Sequence, residues 1–205
     1  MRENEVQVWM APLDLAPAKL AALEISLDAA ERERASRFHF ERDRSRFIAA
    51  HGALREILAS ALAIPPGGIA FAFGPAGKPR LVGDHSVRFS LSHSGSLALI
   101  ALADNREIGV DVELIRDLPE MDDIARQSFS PADRTMLQGF DSAKKKDFFF
   151  RLWTRHEAIA KCTGLGLEES NQLFGGSVME LAPAPGCIGA VAVEHGEIDV
   201  RFFRW

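Results

Sequence analysis

Residues 108–113 read Ile108-Gly109-Val110-Asp111-Val112-Glu113, a β-branched run interrupted by two carboxylates. Side chains alternate along a strand, so Asp111 and Glu113 share one face, and Val110, Val112 and Leu114 are expected to turn into a core. Two carboxylates on one face repel unless positive charge sits with them. A hard divalent cation is the usual remedy, and Mg²⁺ takes one or two carboxylates together with phosphate oxygens. Working outward, Trp153-Thr154-Arg155-His156-Glu157-Ala158-Ile159-Ala160-Lys161 supplies a third carboxylate. Glu157 and Lys161 stand four apart and share a helix face with Thr154 and Phe150 nearby. By itself such a pair is an ordinary surface salt bridge. Beside Trp153 and the strand carboxylates it points to metal-assisted phosphoryl chemistry. His156-Glu157 also suggests a zinc protease helix, but Ala160 stands where the second histidine is required.

The flanking periodicities give the organisation. Val6–Met10 reads as a strand, Leu13–Leu27 as a helix and Asp28–Phe40 as a charged helix. From Asp43 to Leu62 an apolar stripe (Phe47, Ile48, Leu54, Ile57, Leu58, Leu62) has helical spacing and stops at Pro65-Pro66-Gly67-Gly68. Ile69–Phe73, Val87–Leu91, Leu97–Ala103 and Ile108–Ile115 read as strands, the last three as two adjacent hairpins, and His93-Ser94-Gly95-Ser96 as a turn. Ser130-Pro131 opens a helix, and Asp147–Cys162 is a long one that stops at Gly164 or Gly166. Gln172–Phe174, Ile188–Glu194 and Asp199–Trp205 are strand-like. Each half thus combines helices with a small sheet, an α+β class. The boundary is expected near 104, giving an N-terminal half 1–104 and a C-terminal half 105–205.

The chain has 205 residues, 47% hydrophobic and 26% charged, which is a globular composition. A net charge of −5 argues against a broad nucleic-acid surface. Six arginines nevertheless fall within 32–46, and Lys144–Lys146 form a second basic run. Interleaved acids make the arginine segment read, taken alone, as a solvated helix face. Cys162 and Cys187 have no metal-ligand spacing and are expected to be buried free thiols. The first residues lack the apolar core of a signal peptide, and no apolar run is long enough to span a bilayer, so the expected compartment is the cytoplasm.

Two further segments suit anion binding. Ser90-Leu91-Ser92-His93-Ser94-Gly95 offers hydroxyls, turn amides and a histidine, although plain turn chemistry explains it equally well. Gly77-Lys78-Pro79 holds a lysine in a rigid loop, a point charge suited to phosphate and otherwise an ordinary surface lysine. No glycine-rich nucleotide-binding pattern is present.

In this order, Gly77-Lys78-Pro79, Phe89 through Gly95, Ile108 through Glu113, and Trp153 through Lys161 followed by Gly164-Leu165-Gly166-Leu167 resemble the 4′-phosphopantetheinyl transferases of the surfactin-synthetase type. Arg37-Phe38 and Arg46 through Arg55 resemble that family's N-terminal helix. The resemblance implies two similar α/β halves related by a pseudo-twofold, with coenzyme A in the cleft between them. It implies transfer of phosphopantetheine to a serine of an acyl or peptidyl carrier protein, releasing adenosine 3′,5′-bisphosphate. Asp111, Glu113 and Glu157 would bind Mg²⁺, with Glu157 also the general base. Lys161 would steady the pyrophosphate and the leaving oxygen. Lys78 and His93, helped by Arg34 or Arg46, would hold the 3′-phosphate, and Ser92 would contact coenzyme A. The chain departs from the family at His156, where lysine is usual. Lys144–Lys146 and Phe129 are candidates for the carrier-facing surface. No nucleic acid or membrane partner is implied, and a two-half fold works as a monomer. The competing reading is a Mg²⁺-dependent phosphohydrolase acting on coenzyme A or a nucleotide. A non-catalytic coenzyme A-binding module is disfavoured by the intact carboxylate set.

Overall fold

A computed structural model of the chain describes residue 2 and residues 4–205, apart from the side chains of 143 and 168. The N-terminal half opens with strand β1 (Glu5–Pro12), followed by helices α1 (Pro17–Ser26), α2 (Ala29–Ser36) and α3 (Glu41–Leu62). Proline at the first position starts α1. Asp28 and Glu31 form a reciprocal capping box at the start of α2. The single charged helix expected over 28–40 therefore ends at Ser36, and a new one begins at Glu41. A short ribbon, β2 (Phe71–Phe73) with β3 (Pro79–Leu81), precedes β4 (Val87–Ser94) and β5 (Leu97–Asp104).

The C-terminal half runs β6 (Ile108–Leu114), α4 (Met121–Ser128), α5 (Pro131–Gln138), α6 (Ser142–Thr163), α7 (Leu167–Leu173), β7 (Ser177–Leu181), β8 (Cys187–Val193) and β9 (Asp199–Arg204). Gln172–Phe174, expected as a strand, is instead the end of α7 and its cap. The expected pair of adjacent hairpins is half right. β4 and β5 form one, but the far edge of β5 is taken by β1, and β6 leaves to pair with β8. Two sheets result, β4-β5-β1-β9 and β6-β8-β7. The final strand β9 runs parallel to β1, so the chain's end returns to the N-terminal sheet.

The layers follow from the alternation of the strands. On one face of the first sheet Phe89, Ile100 and Leu102 pack under α3 through Ala49, Ala53, Leu54 and Leu58. On the other face Val6, Val8, Leu99 and Ala101 meet Ile108, Val110, Val112, Val191 and Val193 of the second sheet. The outer face of the second sheet carries α6 through Ala158, Cys162, Ala190 and Ala192. The order is helix, sheet, sheet, helix. Each half contributes one 22-residue helix, and each of these ends on a left-handed residue, Ala63 at φ 56° or Gly164 at φ 70°. Leu114 departs from expectation: Val110 and Val112 are core, but Leu114 is 39% exposed because β6 ends as it reaches the edge of the sandwich. Among the described residues no helix is long and apolar enough to cross a membrane.

Candidate active site

Asp111 and Glu113 lie on the face of β6 that meets α6. Gly109, two residues back on that same face, is what lets the helix come close. A Cβ there would sit 2.0 Å from the Ala158 carbonyl oxygen and 2.3 Å from the Cys162 amide nitrogen. Only a residue without a side chain lets helix and strand backbones approach so closely. That approach brings Lys161 onto Asp111, with Nζ 2.6 Å from Oδ1.

The other wall is the edge of β4. Its serines alternate toward β6 and replace the missing strand-to-strand ladder with hydroxyl bonds. Ser90 Oγ accepts from the Val110 amide at 3.0 Å. Ser92 Oγ donates to Asp111 Oδ1 at 2.7 Å and accepts from Lys161 at 3.0 Å. Ser94 Oγ donates to Glu113 Oε2 at 2.7 Å, a carboxylate also held by Arg116 at 2.9 Å. The serine segment is thus strand through Ser94, not a turn from His93, and it fixes the two carboxylates.

Charge is poorly balanced at this point. Asp111 is buried, and its Oδ2 has no hydrogen-bond partner. Burial pushes the Asp111 carboxyl above its usual range, despite the Lys161 charge and the bonds from Lys161 and Ser92, and Glu113 adds to the rise. Glu157, half-buried on α6, is also raised, first by burial and then by the negative charges of Asp111 and Glu113, against the pull of Lys161. Negative charge from Asp111 and Glu113 thus reaches Glu157 across the gap between strand and helix. Among the described residues no three His, Cys, Asp or Glu side chains stand close enough to form a ready-made metal cage. The donor set still fits a hard cation that needs one or two carboxylates and completes its shell with substrate oxygens. A buried carboxylate oxygen without a partner is the atom such an ion would satisfy.

Glu157 and Lys161 open into a cleft of about 610 Å³ between the halves. Its opposite wall carries Arg34, Phe47, His51, Phe71 and His93. His51 stacks on Phe47 at 4.0 Å between ring centroids, and the Arg34 guanidinium lies 5.3 Å from the same ring. This wall is held from behind by Arg55, which is fully buried. Arg55 donates to Glu31 at 2.6 Å, to Asp28 at 2.8 Å and to the carbonyls of Pro66 and Ile69 at 3.1 and 2.9 Å. Partial enclosure by the cleft wall, then the positive neighbours His51, Lys161 and Arg34, lower the His93 pKa, opposed by Glu113. A neutral His93 ring remains a hydrogen-bond donor for an anionic ligand.

Arg34, Lys78, His93, Glu157 and Lys161 all line the cleft, and Ser92 and Asp111 adjoin it through Lys161. Arg46 does not line it. Its guanidinium pairs with Asp14 at 2.7 and 3.0 Å. Lys78 is largely turned inward to Glu107. His156 is also off the cleft, edge-on to Phe129 with ring centroids 5.3 Å apart, and burial lowers its pKa. Phe129 is core. The lysine run is neutralised locally: Lys144 pairs with Asp141, Lys145 with Asp122 and Lys146 with Asp117. Both cysteines are free thiols, Cys162 buried and Cys187 half-buried.

Sequence reasoning missed His51, Glu31 and Gly109. His51 stands four residues after Phe47 on the same helix face, and the Asp28-x-x-Glu31 spacing is a readable capping box. An isolated glycine within a strand is the signature of a close backbone approach.

Residues 107–200 match the model of the 4′-phosphopantetheinyl transferase superfamily. Residues 16–105 match that of a 4′-phosphopantetheinyl transferase N-terminal domain. The chain is 35% identical to the 4′-phosphopantetheinyl transferase HetI of Nostoc sp., over 98% of this chain and 93% of HetI. It is 32% identical to a 4′-phosphopantetheinyl transferase of Bacillus subtilis, over 69% of this chain and 62% of that protein. It is 28% identical to the Bacillus subtilis transferase Sfp, over 67% of this chain and 60% of Sfp.

Proposed function

The chain belongs to the 4′-phosphopantetheinyl transferase superfamily, and from that premise we propose that it moves phosphopantetheine from coenzyme A to a serine of an acyl or peptidyl carrier protein. The similarity to Sfp and the ordered motifs support the surfactin-synthetase type within the family. The division of the chain near residue 104 is part of the same reading, with β9 returning across it to β1.

The observation that carries the proposal is the convergence of Asp111, Ser92 and Lys161 beside Glu157 at the floor of a cleft with a cationic and aromatic far wall. Coenzyme A would enter with its phosphates toward Arg34, His93 and Lys161. Asp111 and Glu113, with Glu157 across from them, would hold Mg²⁺, which supplies charge neutralisation on the pyrophosphate when bound. Glu157 accepts the proton of the incoming serine hydroxyl, directly or through water. Its position on α6, one turn before Lys161 and facing the cleft, suits it to that role. The serine oxygen forms a bond to the phosphorus that bears pantetheine. The bond from that phosphorus to the bridging oxygen breaks, and Lys161 stabilises the charge on the departing adenosine 3′,5′-bisphosphate. Positioning and charge stabilisation account for the rate. The test is release of adenosine 3′,5′-bisphosphate with and without apo carrier proteins from fatty-acid, polyketide and peptide-synthetase systems. Release that requires a carrier is expected. Breakdown of coenzyme A at the same rate without one would favour the phosphohydrolase.

A further inference from the structure

Lys78 reaches across the two halves. Its ammonium lies 2.5 Å from Glu107 Oε2 and 2.7 Å from the Cys162 carbonyl oxygen, and its side chain is 9% exposed. Cys162 belongs to the last turn of α6, where backbone carbonyls have no partner within the helix. A cation at that end completes the carbonyls and opposes the negative pole of the helix. The lysine stem packs against the helix's terminal glycine: a Cβ on Gly164 would lie 3.4 Å from Lys78 Cδ. Glu107 is itself fastened, by Arg88 at 3.2 Å and through its own backbone. Its amide donates to Glu194 at 2.9 Å, and its carbonyl accepts from the Cys162 thiol at 3.3 Å. Lys161 is the residue before Cys162, and Glu157 is one turn earlier on the same helix.

We propose that Lys78 is a positioning residue: with Glu107 it anchors the C-terminal turn of α6 and so sets Lys161 and Glu157 against Asp111, instead of serving as a ligand of the substrate's 3′-phosphate. The catalytic part of this inference rests on the transferase reading above. Gly109 sets how near α6 lies to β6, and the Lys78 contacts to Glu107 and the Cys162 carbonyl tie down the last turn of that helix. Displacing reacting groups by about 1 Å costs on the order of 100-fold in rate.

The test compares Lys78→Met, Lys78→Arg and Glu107→Gln in the full chain. In substrate-free protein, amide hydrogen exchange over residues 160–166 is expected to speed up by about tenfold or more in Lys78→Met and in Glu107→Gln, and to stay nearer the parent in Lys78→Arg. In protein shown to be folded by circular dichroism, kcat falls by roughly 10- to 100-fold in Lys78→Met and in Glu107→Gln. The preference for coenzyme A over dephospho-coenzyme A is retained in both. Unchanged exchange in both variants overturns the proposal. So does loss of that preference in Lys78→Met while Glu107→Gln keeps it, which would make Lys78 a phosphate ligand. If Lys78→Met does not fold, the near-isosteric Glu107→Gln decides the matter on exchange and kcat. The exchange measurement needs no turnover, so absence of transfer in the parent would sink the functional reading without deciding this one.

Discussion

Replacing Gly109 by alanine should disable the enzyme through a single methyl group that touches no substrate. The new Cβ would lie 2.0 Å from the Ala158 carbonyl oxygen, 2.3 Å from the Cys162 amide nitrogen and 2.9 Å from the Lys161 carbonyl carbon. All three are backbone atoms, so no side chain can rotate away. Ordinary contact begins near 3.4 Å, and α6 must therefore retreat from β6 by roughly 1.4 Å. That retreat breaks the 2.6 Å contact of Lys161 with Asp111 and shifts Glu157 with it. Overpacking of this kind costs about 1–3 kcal/mol, and for a chain of this size each kcal/mol lowers Tm by about 2–4 °C. A displacement of 1 Å or more at the reacting groups costs a further ~100-fold in kcat. The assay is transfer to a carrier protein at saturating coenzyme A, with thermal unfolding measured in parallel. Parent-like kcat and Tm in Gly109→Ala would refute the claim that the glycine sets the helix against the carboxylates.

Asp111→Asn should lose at least about 10³-fold in transfer, since a bound metal contributes several kcal/mol to such reactions. Its thermal stability in metal-free buffer should be no lower than the parent's, because burial raises the Asp111 pKa and so penalises the charged form above it; Mg²⁺ should raise the Tm of the parent and not of the variant, and an equal shift in both would oppose a metal at this carboxylate. For Glu31, burial is outweighed by hydrogen bonds from His51 and the Asp28 amide and by the charges of His51 and Arg55, which hold its pKa below the ordinary 4.5. Its contribution is complete above that value and is lost as pH falls through the lower folded-state pKa, so Glu31→Gln should flatten the acid limb of a Tm–pH curve, and an unchanged limb would show the network to be inert. Cys162, its thiol pushed up to about 12 chiefly by burial, should resist iodoacetamide at pH 8 in the folded protein and react on unfolding; peptide mapping that finds rapid native alkylation would contradict its burial between α6 and the second sheet.

Long periodic segments were legible in the sequence. The apolar stripe from Phe47 to Leu62 is α3, and the alternation at 108–114 is β6. The start of α6 was not, because Lys144–Lys146 near its start show no apolar period and the start is set by the Asp141 cap, whose side chain accepts from the Lys144 amide at 3.0 Å. Short elements such as β3, α7 and β7 carry too few residues for a period to show. The pairing of β6 with β8 instead of β5 depends on β1 claiming the edge of β5, a contact between distant parts of the chain. At the site, Asp111, Glu113, Glu157 and Lys161 were readable as chemistry because carboxylates in a strand and a helix demand compensation. Ser92 and Ser94 were readable as hydrogen-bonding groups but not as the clasps of those carboxylates. That Lys78 and Arg46 are already paired, with Glu107 and Asp14, is a property of the folded surface that no spacing reveals.

Intact-mass analysis of an apo carrier protein incubated with this chain, coenzyme A and Mg²⁺ is the most direct measurement. A gain of one phosphopantetheinyl group on the carrier, abolished when Glu157 is replaced by glutamine and when the acceptor serine is replaced by alanine, is the predicted result. Carrier mass unchanged across all three carrier classes, or modification that persists in Glu157→Gln at the parent rate, would contradict it.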